Sequence, residues 1–121
     1  MSREFNKPDY TYRVYVDRVI DGDTIDVNVD VGFQTTIFKR LRFLELDTEE
    51  LRSGDSVRRE NANLAKERLQ EMLDNADAVY IQSEMDSTGK YGRVLAYVWT
   101  ENDGVLTNVN YQLVEEGYQK V

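Results

Sequence analysis

Residues 25–31 alternate without interruption, with Ile25, Val27, Val29 and Val31 on one side and Asp26, Asn28 and Asp30 on the other. A period of two with a β-branched apolar face marks a strand that buries one side, so this stretch commits the chain to a sheet. Upstream, residues 10–20 (YTYRVYVDRVI) are β-branched and aromatic and read as a first strand, closed by the turn signal Asp21-Gly22-Asp23. Downstream, Gly32 marks a hairpin and residues 35–46 return as a third strand. That strand changes phase, because Leu41 and Phe43 share one parity and Leu44 and Leu46 the other. A β-bulge, or a closed barrel with both faces partly covered, explains such a change.

After Arg52-Ser53-Gly54 the pattern becomes helical, with Val57, Asn61, Leu64, Ala65, Leu69, Met72, Leu73 and Ala76 on one stripe. Residues 78–82 and 94–99 are short apolar runs, hence buried strands. Asn102-Asp103-Gly104 is a hairpin turn into a short Val105–Leu106 strand. Thr107 or Asn108 caps a last helix, with Val109, Leu113 and Val114 inward and Gly117 at its C-cap. Three strands in a meander, a helix, two more strands and a short helix is the order of the OB-fold. The expected fold is mainly β with helices: a five-stranded Greek-key barrel, a helix between strands 3 and 4, and a short C-terminal helix. No repeat or linker divides the chain. Residues 1–9, with the only proline at Pro8, read as a flexible leader, and residues 10–121 as a single domain.

Composition narrows the chemistry. The 121 residues contain no Cys and no His, which excludes disulfide scaffolds, zinc fingers, thiol nucleophiles and Ser-His-Asp triads. A metal site must then be built from oxygens, which favours Ca²⁺ or Mg²⁺. The net charge is −8, from 15 basic and 23 acidic residues. On charge alone this argues against a nucleic-acid binder, because phosphate neutralisation drives that affinity. No apolar run is long enough to span a membrane, and the polar start MSREFNKPDY has no signal-peptide core. The chain as given is expected to be cytoplasmic, monomeric and without a membrane partner.

Three polar clusters stand out: Asp21-Gly22-Asp23-Thr24, then Arg42 through Asp47-Thr48-Glu49-Glu50, then Lys90-Tyr91-Gly92-Arg93. Each has a plain structural reading. The first is a turn, the second an acidic helix N-terminus, the third a solvated loop. Asp86-Ser87-Thr88-Gly89 suggests a calcium loop but fails the EF-hand pattern, since Lys90 takes a ligand position and no Glu closes it.

Taken together, VIDGDT (residues 19–24), RxxxxDTxE (42–50) and KYGRxLAY (90–97) occur in an order that resembles the staphylococcal (micrococcal) nuclease, or thermonuclease, family. The resemblance runs from about Tyr12 onward, with NYQLVEEGYQKV similar to that family's second helix. It implies an OB-fold and a Ca²⁺-dependent phosphodiesterase that cuts DNA and RNA to 5′-hydroxyl and 3′-phosphate ends. Asp23 and Asp47 resemble the metal carboxylates, and Thr48 the residue that lends its backbone carbonyl. Glu50 is similar to the glutamate that orients or deprotonates the attacking water. Arg42 and Arg93 resemble the arginines that clamp the phosphoryl oxygens, and Lys90 and Tyr91 match residues that hold a neighbouring phosphate. Asp21 reads as a turn residue or a support for the metal ligands. The alternative is a catalytically inactive nucleic-acid-binding or acidic interaction module of the same family.

The implied chemistry is coherent without a histidine. A phosphodiester gains charge on its equatorial oxygens in the transition state, and a hard cation with two fixed guanidiniums stabilises it. Arginine's planar fork suits bidentate phosphate contacts, and a carboxylate beside the water serves as general base. One departure is Glu49, which stands where the family usually has proline. It is expected to loosen the loop that carries Glu50 and to add a carboxylate near the metal. The loop between strands 2 and 3 is also longer than in the parent enzyme. Beyond the second helix the archetype carries an aromatic segment that lines the substrate site, which this sequence does not include. Phosphate contacts are therefore expected to dominate, with single strands preferred. Lys39, Arg40, Arg42, Arg52, Arg58, Arg59, Lys90 and Arg93 are expected to form a local positive rim or to be ordinary surface charges.

Overall fold

The computed structural model describes residues 10–88 and 94–120, except for the side chains of 84–88. The leader 1–9 and the three residues Lys90, Tyr91 and Arg93 lie outside the described residues. The elements are β1 (Thr11–Asp21), β2 (Thr24–Asp30), β3 (Thr36–Phe43), α1 (Ser56–Asp74), β4 (Ala78–Thr88), β5 (Val94–Asn102), β6 (Val105–Asn108) and α2 (Val109–Glu115).

The sheet runs β3-β2-β1-β4-β5-β6, and β3 also pairs with β5. That second pairing is parallel and short (Leu41 with Val94, Arg42 with Leu95, Phe43 with Ala96). It closes β1–β5 into a mixed five-stranded barrel, the OB-fold expected, with β6 added outside as a hairpin on β5. Inward residues of every strand fill the barrel: Val14, Ile25, Val27, Leu41, Phe43, Ile81, Ala96 and Val98 are all buried. Leu69 and Leu73 of α1, with Val109 and Leu113 of α2, join the same core. Among the described residues no helix is long and apolar enough to cross a membrane.

Four local readings change. The third strand ends at Phe43, not at 46, because Glu45 turns into the left-handed region at φ 58°. The turn, not a bulge, shifts the phase, and Leu46 re-enters the core after it. Val31 lies past the end of β2 and is exposed. The buried stripe of α1 is Ala62, Ala65, Leu69 and Leu73, so Val57, Asn61 and Leu64 face outward. Small residues lead this stripe because the helix packs close to the Gly22 turn. In α2, Val114 is exposed and Asn110 is fully buried instead.

Asn110 joins α2 to the barrel seam. Its Nδ2 donates to the carbonyls of Leu44 (2.8 Å) and Ala96 (3.1 Å), and its Oδ1 accepts the Val98 N–H at 2.9 Å. These three backbone groups lie where β3 and β5 meet, and a buried amide satisfies them without water. Asn108 caps α2 by accepting the Tyr111 N–H, and Gly117 (φ 94°) continues past its end.

Candidate active site

The β1–β2 turn and the segment after β3 meet at one end of the barrel. Asp21, Asp23, Thr24, Arg42, Asp47, Thr48, Glu49, Glu50 and Arg52 line a cavity of about 430 Å³ there. It holds every site residue expected from the first two motifs.

The turn is built around close approach. A Cβ on Gly22 would lie 2.8 Å from both the Ala65 Cβ and the Thr48 Oγ1, so the position has room only for glycine. Asp21 Oδ1 accepts the Asp23 N–H at 3.1 Å, which makes Asp21 a turn residue and a support of Asp23. Asp23 is 6% exposed. Its Oδ1 accepts from the Thr24 hydroxyl (3.0 Å) and its Oδ2 from the Thr48 N–H (3.0 Å), so the two motifs are bonded to each other.

Arg42 lies between the carboxylates. Its Nη1 is 3.1 Å from Asp23 Oδ2 and its Nη2 is 3.1 Å from Asp47 Oδ1. Nη1 also donates to the carbonyls of Leu46 (2.6 Å) and Phe43 (3.2 Å), which bridges the turn at Glu45. One guanidinium thus holds both acidic groups and the backbone between them. Glu50 is exposed on the cavity wall, and its carbonyl accepts the Ser53 N–H at 3.1 Å.

Burial is the main reason the Asp23 carboxyl is pushed up to about 6, and the neighbouring Asp21 adds to it. The Thr48 N–H and Arg42 act in the opposite direction. Because the folded value lies above the ordinary carboxylate value near 4, charged Asp23 opposes folding above about pH 6, and this opposition vanishes below about pH 4. In chelator, this group is therefore expected to raise stability as pH falls from 6 to 4. Denaturant titrations across that window test this: the slope should be shallower in Asp23→Asn. An unchanged slope would contradict the assignment.

The donor set fits a hard cation. Asp23 and Asp47 line one cavity and each lies 3.1 Å from Arg42, and the acidic donors there are all oxygens. Among the described residues no group of three carboxylates is placed to hold one ion, so a cation held here would need water in its shell, as Ca²⁺ tolerates.

Some supports carry no sequence signal. Gln119 Oε1 accepts the Asp47 N–H (2.9 Å), the Lys120 N–H donates to the Asp47 carbonyl (2.8 Å), and Lys120 Nζ is 3.5 Å from Asp47 Oδ2. The segment after α2 therefore fixes Asp47. Glu49 pairs with Arg58 of α1 at 3.5 Å, so it ties the loop to the helix. This pair gives the loop that carries Glu50 one tie to α1 in place of the family's proline. Of the expected basic rim, Arg42 and Arg52 line the cavity, while Arg40, Arg58 and Arg59 are engaged by Asp26, Glu49 and the Ser53 carbonyl.

Comparison with known proteins gives the family of the chain. The family model described as "Staphylococcal nuclease homologue" matches residues 40–121. The chain is 33% identical over 112 residues to a thermonuclease of Staphylococcus hyicus, and that match covers 93% of this chain and 59% of the relative. It is 32% identical over 111 residues to a micrococcal nuclease of Shigella flexneri, covering 88% of this chain and 56% of the relative. It is also 32% identical over 112 residues to Endonuclease YhcR of Bacillus subtilis, covering 88% of this chain and 9% of that much longer protein. The matched family and relatives define a class of nucleases. The chain is a member of the staphylococcal nuclease family. It spans less than two thirds of each of these relatives.

Proposed function

We propose that this cavity hydrolyses phosphodiester bonds of DNA and RNA in a Ca²⁺-dependent reaction that leaves 3′-phosphate and 5′-hydroxyl ends. The observation that carries the reading is the convergence of Asp23 and Asp47 on Arg42, with Glu50 on the same wall. Asp23, Asp47 and the Thr48 carbonyl would hold the cation, which supplies positive charge to the phosphoryl oxygens when bound. Arg42 binds a phosphoryl oxygen and exchanges part of its carboxylate contacts for that anion. Glu50 accepts the proton of the attacking water. The oxygen of that water bonds to phosphorus as the bond to the 5′-oxygen breaks, and the leaving 5′-oxygen takes a proton from solvent. Arg93 is the second clamp, and Lys90 and Tyr91 hold an adjacent phosphate, on the resemblance of their motif.

Two expectations follow for the metal and the substrate. Calorimetry should show Ca²⁺ binding to the wild type and its loss in Asp23→Asn combined with Asp47→Asn; unchanged affinity would refute the ligand assignment. Cleavage should be nearly blind to base sequence, faster on single strands, and strongly weakened between low and physiological salt, because phosphate contacts carry the affinity. Activity that persists at high salt would contradict this.

A further inference from the structure

The β2–β3 hairpin projects beyond the closure of the barrel. Only Leu41–Phe43 of β3 pair with β5, so Thr36–Arg40 are held by β2 alone. Every residue from 31 to 40 is exposed, yet four of them are large and apolar: Val31, Phe33, Ile37 and Phe38. Phe33 is 100% exposed at the tip. It has φ 55° and is followed by Gln34 at φ 62°, in a region that a phenylalanine normally avoids. The turn is nonetheless well bonded, with the Thr35 N–H donating to the Gly32 carbonyl (2.9 Å) and the Val31 N–H to the Thr35 carbonyl (3.0 Å). An ordered turn that holds an aromatic ring in solvent breaks a local rule without a packing gain, and such positions point to contacts with something else.

The arm is continuous with the candidate site. Leu41 and Phe43 point inward, so Arg42, Arg40 and Phe38 share the outer face of β3, and Phe38 lies about 13 Å along the strand from Arg42. Asp26 grips Arg40 with two hydrogen bonds, of 2.7 and 3.0 Å, and leaves its side chain 47% exposed. Residues 31–44 hold Lys39, Arg40 and Arg42 and no acidic residue, and across the hairpin β2 adds Asp26, which faces Arg40, and Asp30 near the turn. Cationic groups interleaved with exposed rings are how proteins hold single strands without reading sequence, and strands 2 and 3 form the usual ligand face of OB-folds.

We propose that this hairpin is a strand-binding arm of the cleft. A single-stranded polynucleotide with its scissile phosphate at Arg42 runs along the outer face of β3, places a neighbouring phosphate at Arg40, and stacks bases on Phe38 and Phe33. The inference rests on the nuclease reading and extends it to substrate affinity. The test is fluorescence anisotropy of a labelled single-stranded oligonucleotide of about 12 nucleotides, in chelator so that nothing is cut. Phe33→Ser combined with Phe38→Ser should bind at least about 25-fold more weakly, from two stacked bases at about 5-fold each. Its unfolding midpoint, and its Ca²⁺-dependent turnover of a single-nucleotide nitrophenyl phosphodiester too short to reach the arm, should match the wild type. Equal oligonucleotide affinity in the two proteins would overturn the arm, as would no binding by the wild type or an equal fall in turnover of the short ester. It would also be overturned if the double variant lost only self-association or binding to phosphatidylglycerol vesicles. If neither protein cut either substrate, the nuclease reading would fail, and the anisotropy would still decide whether the arm holds a strand.

Discussion

Arg42→Ala is expected to lower kcat by about 10²-fold or more, the scale for removing one preorganised charge donor, and to destabilise the protein by roughly 3 kcal/mol. The second effect follows from the contacts of Arg42. Its side chain is 22% exposed and bonds the carbonyls of Leu46 and Phe43 while facing Asp23 and Asp47. Without it, buried Asp23 keeps only its hydroxyl and N–H donors, and Asp47 falls back on Lys120. Removing one partner of a buried pair is damaging because the other charge is left uncompensated. From sequence alone folding is expected to survive in this variant, since Arg42 lies off every apolar stripe. The contacts add to that a cost in stability: the protein folds but is weakened. Chemical denaturation alongside a cleavage assay separates the two effects. A variant with native stability would show that the guanidinium does not hold this end of the barrel.

Glu50→Ala is expected to lower kcat by about 10²–10⁴-fold, the range for general acid–base catalysis, with stability within about 0.5 kcal/mol of the wild type. Glu50 is exposed, and among the described residues its bond to the fold is the backbone one from the Ser53 N–H to its carbonyl. The neighbouring carboxylate provides the contrast. Glu49 faces Arg58, whose side chain is 64% exposed, so Glu49→Ala should forfeit less than about 1 kcal/mol of stability and keep most of its activity. Steady-state kinetics on both variants, with KM and kcat resolved, decides the roles. If Glu49→Ala were the slow enzyme and Glu50→Ala the fast one, the base would be misassigned.

The barrel was readable because its signals are local. The alternation from Ile25 to Val29 marks β2, and Asp-Gly-Asp and Asn-Asp-Gly mark turns that the structure contains. Asp23, Arg42, Asp47, Thr48 and Glu50 were legible as a group because two short motifs carry them at strand ends that the fold brings together. What was hidden depends on distance and on register. Gln119 holds the Asp47 N–H from 72 positions away, and nothing in either segment announces the pairing. The stripe of α1 was misplaced at its start because apolar Val57 and Leu64 outweighed the small Ala62, which is the residue that is buried there. Val31 continues the alternation in sequence but not in space, since β2 has already ended at Asp30.

The central claim is that one acidic, arginine-bridged cavity makes this chain a metal-dependent phosphodiesterase. The most direct test is to incubate a 5′-labelled single-stranded oligonucleotide with the protein, in Ca²⁺ and in chelator, and to identify the ends of any fragments. The account predicts fragments ending in 3′-phosphate in Ca²⁺, none in chelator, and none from Asp23→Asn combined with Asp47→Asn. Intact oligonucleotide in Ca²⁺, or equal cutting in chelator, would contradict it.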